Sequence, residues 1–321
     1  MIKLYLKTIL LLTLLLLIIS GCEDGSKTGG IIGDSDNTTS NGTDSSLING
    51  SDTDSEYVKS TDHFVDTGVD SAACDSLMEI TVRDFDASHP DMERADAGWG
   101  PLAGVLEDTL DGDRKPVFSS ADGLYTWKTG LEPGVLEKNC WDSGPGTPET
   151  CYAGTIPMFE GADSFYDWYH DTANNQRFEK QLQLEDSAEK PGVFVYDTTA
   201  FFPLSPTEGF GITPSSNNPS GMNYLFTTEI HFKFIYNAGQ KFTFRGDDDL
   251  WIFVNNKIAL DLGGMHLPFE GTIDFDAVAD FLGITPGGLY NMDIFHAERH
   301  TTGSNFRIET NISCFIPVSI D

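Results

Sequence analysis

The residues best able to do chemistry in this chain gather around one expected hairpin. Gly246-Asp247-Asp248-Asp249 reads as a turn, followed by the apolar strand Leu250-Trp251-Ile252-Phe253-Val254. Asn255-Asn256 comes next, and asparagine tolerates the left-handed backbone that a two-residue hairpin requires. The return strand is Lys257-Ile258-Ala259-Leu260-Asp261-Leu262, ending at Gly263-Gly264. This register pairs Val254 with Lys257, Ile252 with Ala259 and Leu250 with Asp261, so Asp261 returns beside the acidic turn. Four carboxylates, Asp247, Asp248, Asp249 and Asp261, then meet at one hairpin end. Two such charges roughly 4 Å apart repel by about 1 kcal/mol in water and about 4 kcal/mol at an effective dielectric of 20. The nearest base in sequence is Arg245. A hard divalent cation would relieve the repulsion, and Ca2+ suits flexible oxygen ligands. The plainer alternative is a splayed acidic turn capped by backbone amides and Arg245. An EF-hand is excluded, because no loop of that pattern closes on a Glu.

Other motifs carry less. His296-Ala-Glu-Arg-His300 is neither HExxH nor HxxEH. It continues a strand in which Tyr290, Met292, Ile294, His296 and Glu298 share a face, and the apolar members turn that face inward. His296 is therefore expected to be buried and hydrogen-bonded, not a ligand. GxSxG is missing, and with 50 acidic residues carboxylate pairs are inevitable. No catalytic residue is assigned, and the chain does not read as an enzyme; a glycosidase is the least favoured alternative.

The elements that must hold this hairpin are strands. Ile230, Phe232, Phe234 and Tyr236 alternate with His231 and Lys233, the pattern of a half-buried strand, and Phe242 and Phe244 repeat it. Short helices are expected only near Asp163–His170 and Asp276–Leu282. Residues 71–321 thus predict one all-β domain, a β-sandwich or barrel with long loops.

Ahead of it lies a leader. Lys3 and Lys7 precede an apolar run from Thr8 to Ile19, shorter than a spanning helix of roughly 20 residues. Ile19-Ser20-Gly21-Cys22 looks like a lipobox, so residues 1–21 read as a lipoprotein signal peptide and Cys22 as the lipidated residue. Residues 22–70 are rich in Gly, Ser, Thr, Asn and Asp and read as a disordered tether with a span of roughly 35–40 Å. Lipid on Cys22 leaves four of the five cysteines, Cys74, Cys140, Cys151 and Cys314, in an oxidising compartment. Three pairings are possible; Cys140–Cys151, closing a short Gly/Pro loop, and Cys74–Cys314, clipping the first strand to the last, are favoured. A net charge of −31 excludes nucleic acid as a partner.

The run Phe244-Arg-Gly-Asp-Asp-Asp-Leu-Trp-Ile-Phe-Val-Asn-Asn-Lys-Ile-Ala-Leu-Asp-Leu-Gly-Gly-Met-His266 closely resembles the fibro-slime domain. So do Gly271-Thr-Ile-Asp274, Leu282-Gly-Ile-Thr-Pro-Gly-Gly288 and His296-Ala-Glu-Arg-His-Thr-Thr-Gly-Ser-Asn-Phe-Arg-Ile-Glu-Thr310, with a weaker match at Ile80-Thr-Val-Arg-Asp-Phe85. The resemblance covers 74–315. It implies a sandwich of the protective-antigen-like type, found in adhesins, flocculins and some glycosidases. Fibro-slime domains occur in surface proteins of fibre-adhering bacteria and in secreted slime-mould factors. In sugar-binding relatives an adjacent Asp-Asp pair, often joined by a cis peptide, holds Ca2+ that ligates sugar hydroxyls. That pair corresponds to Asp247-Asp248. Relatives usually have Gly where this chain has Asp249, and Gly where it has Asn256.

The expected function is a lipid-anchored recognition domain, displayed at the cell surface or outer membrane. It would bind a polysaccharide or other glycan, cellulose-like among the options, with Ca2+ on Asp247 and Asp248 and with Asp249 and Asp261 as helpers. Trp251 and Asn305 are candidate sugar contacts. The alternative is a structural matrix or protein-interaction role without sugar binding. Asp24, two places after Cys22, is the residue type that retains enteric lipoproteins at the inner membrane, and so argues against display.

Overall fold

The computed structural model describes residues 74, 76–94, 101–120, 124–125, 158–301 and 303–320. The expected signal peptide, lipidated Cys22, tether and Cys140–Cys151 pair lie outside these residues.

The elements in chain order are β1 (Leu77–Phe85), β2 (Leu102–Ala103), β3 (Leu124–Tyr125), α1 (Ala162–Tyr169), β4 (Asn175–Gln183), β5 (Glu185–Asp186), β6 (Phe194–Thr198), β7 (Phe226–Ile235), β8 (Lys241–Gly246), β9 (Asp249–Val254), β10 (Lys257–Leu262), β11 (Phe269–Asp274), α2 (Phe275–Leu282), β12 (Leu289–Glu298), β13 (Phe306–Thr310) and β14 (Ile316–Pro317). They build an all-β sandwich of antiparallel sheets. The large sheet has the order β10-β9-β12-β7-β1-β4, with β14 also on β7, and the small sheet runs β11-β8-β13-β6-β5. Both expected short helices are present as α1 and α2. The latter stops at Gly283, whose left-handed φ of 68° lets its N–H return to the carbonyls of Ala279 and Asp280.

Alternation along β7 sends Ile230, Phe232 and Phe234 into the core between the sheets, where they meet Ile252, Ile294, Phe242, Phe244, Phe306 and Ile308. A second apolar cluster lies on the outer face of the large sheet. There Trp251, Phe253, Phe295 and Ala297 pack under Val105, Leu106, Phe159, Phe165 and Trp168. Strand β9 is therefore buried on both faces, which is why it reads as an unbroken apolar run rather than an alternating one. Each such side chain contributes about 1.5–3 kcal/mol when fully buried.

Cys74 and Cys314 form a disulfide, which joins the segment before β1 to the segment before β14. Both of these strands pair with β7.

The β9–β10 hairpin turns at Asn255 and Asn256, with φ of 51° and 64°. Its register differs from the expected one. Val254 does face Lys257, but a bulge between Ile258 and Leu260 then sets Leu260 opposite Ile252 and Asp261 opposite Trp251. The Ile258 N–H leaves the ladder for the carbonyl of Asp108 at 2.9 Å, so the strand gains one unpaired residue.

Among the described residues no helix is long and apolar enough to cross a membrane.

Candidate functional site

The acidic turn is built where β8 hands over to β9. Gly246 ends β8 because the chain is crowded there: a Cβ on it would lie 2.7 Å from the Asn305 carbonyl oxygen and 2.6 Å from the Phe244 ring. That close approach brings the entry to β13 against the turn. The Asn305 backbone N–H donates to Asp247 Oδ1, and its side-chain Nδ2 donates to Oδ2 at 2.8 Å. Gly303 leaves room beside the same carboxylate, since a Cβ there would stand 3.3 Å from Asp247 Oδ2. His296 Nε2 lies 3.0 Å from the Asp247 carbonyl oxygen. Burial holds this imidazole down at about 4, so it is neutral and the proton sits on Nε2 to make that bond. His296 is thus the buried, hydrogen-bonded histidine that its strand position predicts.

The Asp247–Asp248 peptide is cis. Asp248 N–H donates to the Ala297 carbonyl at 3.2 Å. Its carboxylate receives His266 N–H at 3.2 Å and Arg299 N–H at 3.1 Å. Burial pushes the Asp248 carboxyl up to about 8, with Arg299 opposing the rise and Asp249 and Asp247 adding to it. Burial also raises Asp247.

The other two carboxylates have different company. Asp249 Oδ2 accepts from Arg299 Nε at 2.6 Å and Oδ1 from Gly264 N–H at 2.6 Å. The expected counter-charge was Arg245, but that residue stays on β8 opposite Glu270 and Arg307. Arg299 takes the role because its guanidinium is stacked 4.6 Å from the Phe159 ring and 5.0 Å from the Trp168 ring, with Nη1 donating to the Met158 carbonyl at 2.9 Å. Asp261 faces the outer layer, where its oxygens accept from Gly104 N–H at 2.8 Å and Gly263 N–H at 3.2 Å. Burial raises it to about 6. The four aspartates therefore split into an adjacent pair, an ion-paired residue and a loop-capping residue.

Glu298, at the end of β12, is a further buried acid near the turn that the sequence did not single out. Its inward position beside His296 was the available signal. The side chain is buried, Oε1 receives a long contact from His300 N–H at 3.4 Å, Oε2 has no hydrogen-bond partner, and the nearby Ser304 hydroxyl, which donates to the Phe201 carbonyl at 2.7 Å, lowers the carboxyl somewhat. Burial, then the charges of Asp248 and Asp247, push its carboxyl well above the usual range.

Trp251 is not a sugar contact in this fold. It is fully buried in the outer cluster, with ring centroids 6.0 Å from Phe165 and 6.3 Å from Trp168. Asn305 sits at the turn, but both of its nitrogens are engaged by Asp247. The exposed apolar residue beside the site is Leu267, 72% accessible, next to His266.

Among the described residues, no three His, Cys, Asp or Glu side chains converge as a ready metal cage. The donor set still fits a hard cation better than any other group. Asp247 and Asp248 offer adjacent carboxylates without a lysine or arginine side chain bonded to either, Asn305 offers an amide, and Glu298 Oε2 is an orphaned buried oxygen. The arrangement presents oxygen donors, the ligand type that a hard cation takes.

A second concavity of about 560 Å3 lies on the outer face of the large sheet, lined by Glu79, Thr81, Arg177, Glu179, Glu229 and His231 among others. Its floor is neutralised internally. Glu229 is bonded to Arg83, Lys115 and His231, and Arg177 to Glu179 and Asp171. That leaves little to select a ligand.

No family model matches the chain. Among solved structures, a GH31 alpha-xylosidase from Xanthomonas citri aligns at a TM-score of 0.25 and 11% identity, covering 46% of this chain and 16% of that one. An anti-sigma factor domain-containing protein aligns at 0.23 and 9%, covering 77% and 80%. Likenesses this slight bear on neither fold nor activity. The sequence is 40% identical over 130 residues to protein psiE of Dictyostelium discoideum, covering 39% of this chain and 25% of psiE. It is 42% identical over 132 residues to psiH of the same organism, covering 40% and 18%. With psiC the identity is 29% over 258 residues, covering 78% and 44%. The chain is thus similar to Dictyostelium psi proteins while spanning less than half the length of each of these three.

Proposed function

We propose that this protein is a lipid-anchored recognition domain of the fibro-slime type that binds a polysaccharide or other glycan through a Ca2+ held by Asp247 and Asp248. The observation that carries this reading is the adjacent pair of buried carboxylates, fixed by the N–H groups of Asn305, His266 and Arg299 and, among the described residues, bonded to no basic side chain. Burial disfavours the ionised form of both carboxyls, and a bound cation would restore it. Ca2+ is the choice because every donor is oxygen and loops, not a rigid cage, supply them. When bound, the ion offers open coordination positions to vicinal hydroxyls. Gly303 puts no side chain against Asp247 Oδ2, and Leu267 gives an exposed apolar surface beside His266 for the C–H face of a sugar ring. Lipid on Cys22 and the 22–70 tether would hold the domain off a membrane, facing outward.

Pull-down on cellulose, xylan and other glycans, in Ca2+ and in EDTA, tests the proposal. Binding lost on chelation and in Asp247→Asn/Asp248→Asn is the expected result. A Ca2+-induced rise in melting temperature with no glycan retained would sink the sugar reading in favour of a matrix role. Protection of the domain from protease on intact cells would count against display.

A further inference from the structure

Glu298 stands in an unusual position. The backbone on either side of it is bonded to Asp248: the Ala297 carbonyl accepts Asp248 N–H at 3.2 Å, and Arg299 N–H donates to Asp248 Oδ2 at 3.1 Å. Its side chain leaves β12 on the same face as His296, whose ring contacts the Asp247 carbonyl. Residue 298 is 1% exposed, and Oε2 has no donor. Neighbouring guanidinium groups do not relieve it, because Arg299 is turned to Asp249 and lies over Phe159 and Trp168. A buried oxygen left without a partner destabilises a fold. Such a group calls for an explanation, and an ion taken up from solution is one that its charge fits.

We propose that Glu298, in place of Asp249 and Asp261, is the third acidic member of the cation site, with Oε2 as the oxygen reserved for the ion beside Asp247 and Asp248. The inference rests on the cation reading above. Asp249 is excluded because Arg299 meets its charge, and Asp261 because its oxygens cap Gly104 and Gly263 toward the outer layer. The three carboxylates do not close into a cage by themselves.

Calcium chloride titrated calorimetrically into the purified full-length protein tests the assignment, with Tb3+ luminescence as a second readout. Glu298→Gln is expected to weaken Ca2+ binding about 10–100-fold, while Asp261→Asn binds like the wild type. Glu298→Met removes the orphaned oxygen. It is expected to melt at the same or a higher temperature without Ca2+, yet to bind Ca2+ as weakly as Glu298→Gln. Affinity lost while cation-free stability is kept is a pattern that a packing role does not produce. Wild-type affinity in both Glu298 variants overturns the assignment and leaves the Asp247–Asp248 reading standing. A Glu298→Met protein destabilised in the absence of Ca2+ makes the carboxyl structural and also overturns it. A wild-type protein that takes up neither Ca2+ nor Tb3+ overturns both readings.

Discussion

Arg299 Nε lies 2.6 Å from Asp249 Oδ2, and neither side chain has any solvent exposure. This pair joins the acidic turn to the outer layer, because the same guanidinium reaches the Met158 carbonyl and the faces of Phe159 and Trp168. Removing one partner leaves the other charge buried alone. Arg299→Met is therefore expected to lower unfolding free energy by about 3–5 kcal/mol, measured by urea denaturation. The double variant Asp249→Leu/Arg299→Met should recover part of that loss, since no lone charge remains. Strict additivity of the two single losses would show that the ions are not coupled.

A pH signature is expected from the pair Glu229 and His231. Glu229 is held down at about 2: burial opposes this, but the bond from His231 and the charges of Arg83 and Lys115 outweigh it. A depressed carboxyl contributes stability that is complete above its ordinary 4.5 and is lost as pH falls toward 2. His231 is raised above 6.5; burial opposes the rise, but bonds to Asp293 and Glu229 outweigh it. A raised imidazole contributes stability that is complete below 6.5 and is lost as pH climbs through its folded value. The difference in stability between wild type and His231→Gln should then be largest below 6.5 and shrink on the alkaline side. For Glu229→Gln the difference should shrink on the acid side. Thermal melts across a pH series measure both, and a pH-independent difference would contradict the sign argued here.

Gly246 provides a steric test of how the turn is seated. A methyl group there would meet the Asn305 carbonyl at 2.7 Å and the Phe244 ring at 2.6 Å. Gly246→Ala should cost about 1–3 kcal/mol by overpacking and should weaken the Asn305–Asp247 bonds. A melting temperature equal to wild type would mean that β8 and β13 can separate freely at this end.

Several features follow from local chemistry and were legible in the chain alone. The alternation of Ile230, Phe232 and Phe234 sets a sandwich strand, because side chains in a strand repeat every two residues. Asn255-Asn256 sets the hairpin, and α1 and α2 appear where short amphipathic runs stand; the Cys74–Cys314 disulfide is one of three pairings the sequence left open, and the tertiary structure selects it. Tertiary structure decided the rest. The bulge that moves Asp261 opposite Trp251 depends on an N–H of Ile258 captured by Asp108, a partner remote in sequence. The burial of Trp251 depends on a layer drawn from residues 85–169, which no local pattern announces. Four aspartates close in sequence look alike on paper. Only packing gives Asp249 an arginine, gives Asp261 two amides, leaves Asp247 and Asp248 side by side with no basic side chain bonded to them among the described residues, and buries Glu298 within reach of their charge, because charge compensation is fixed by neighbours in space.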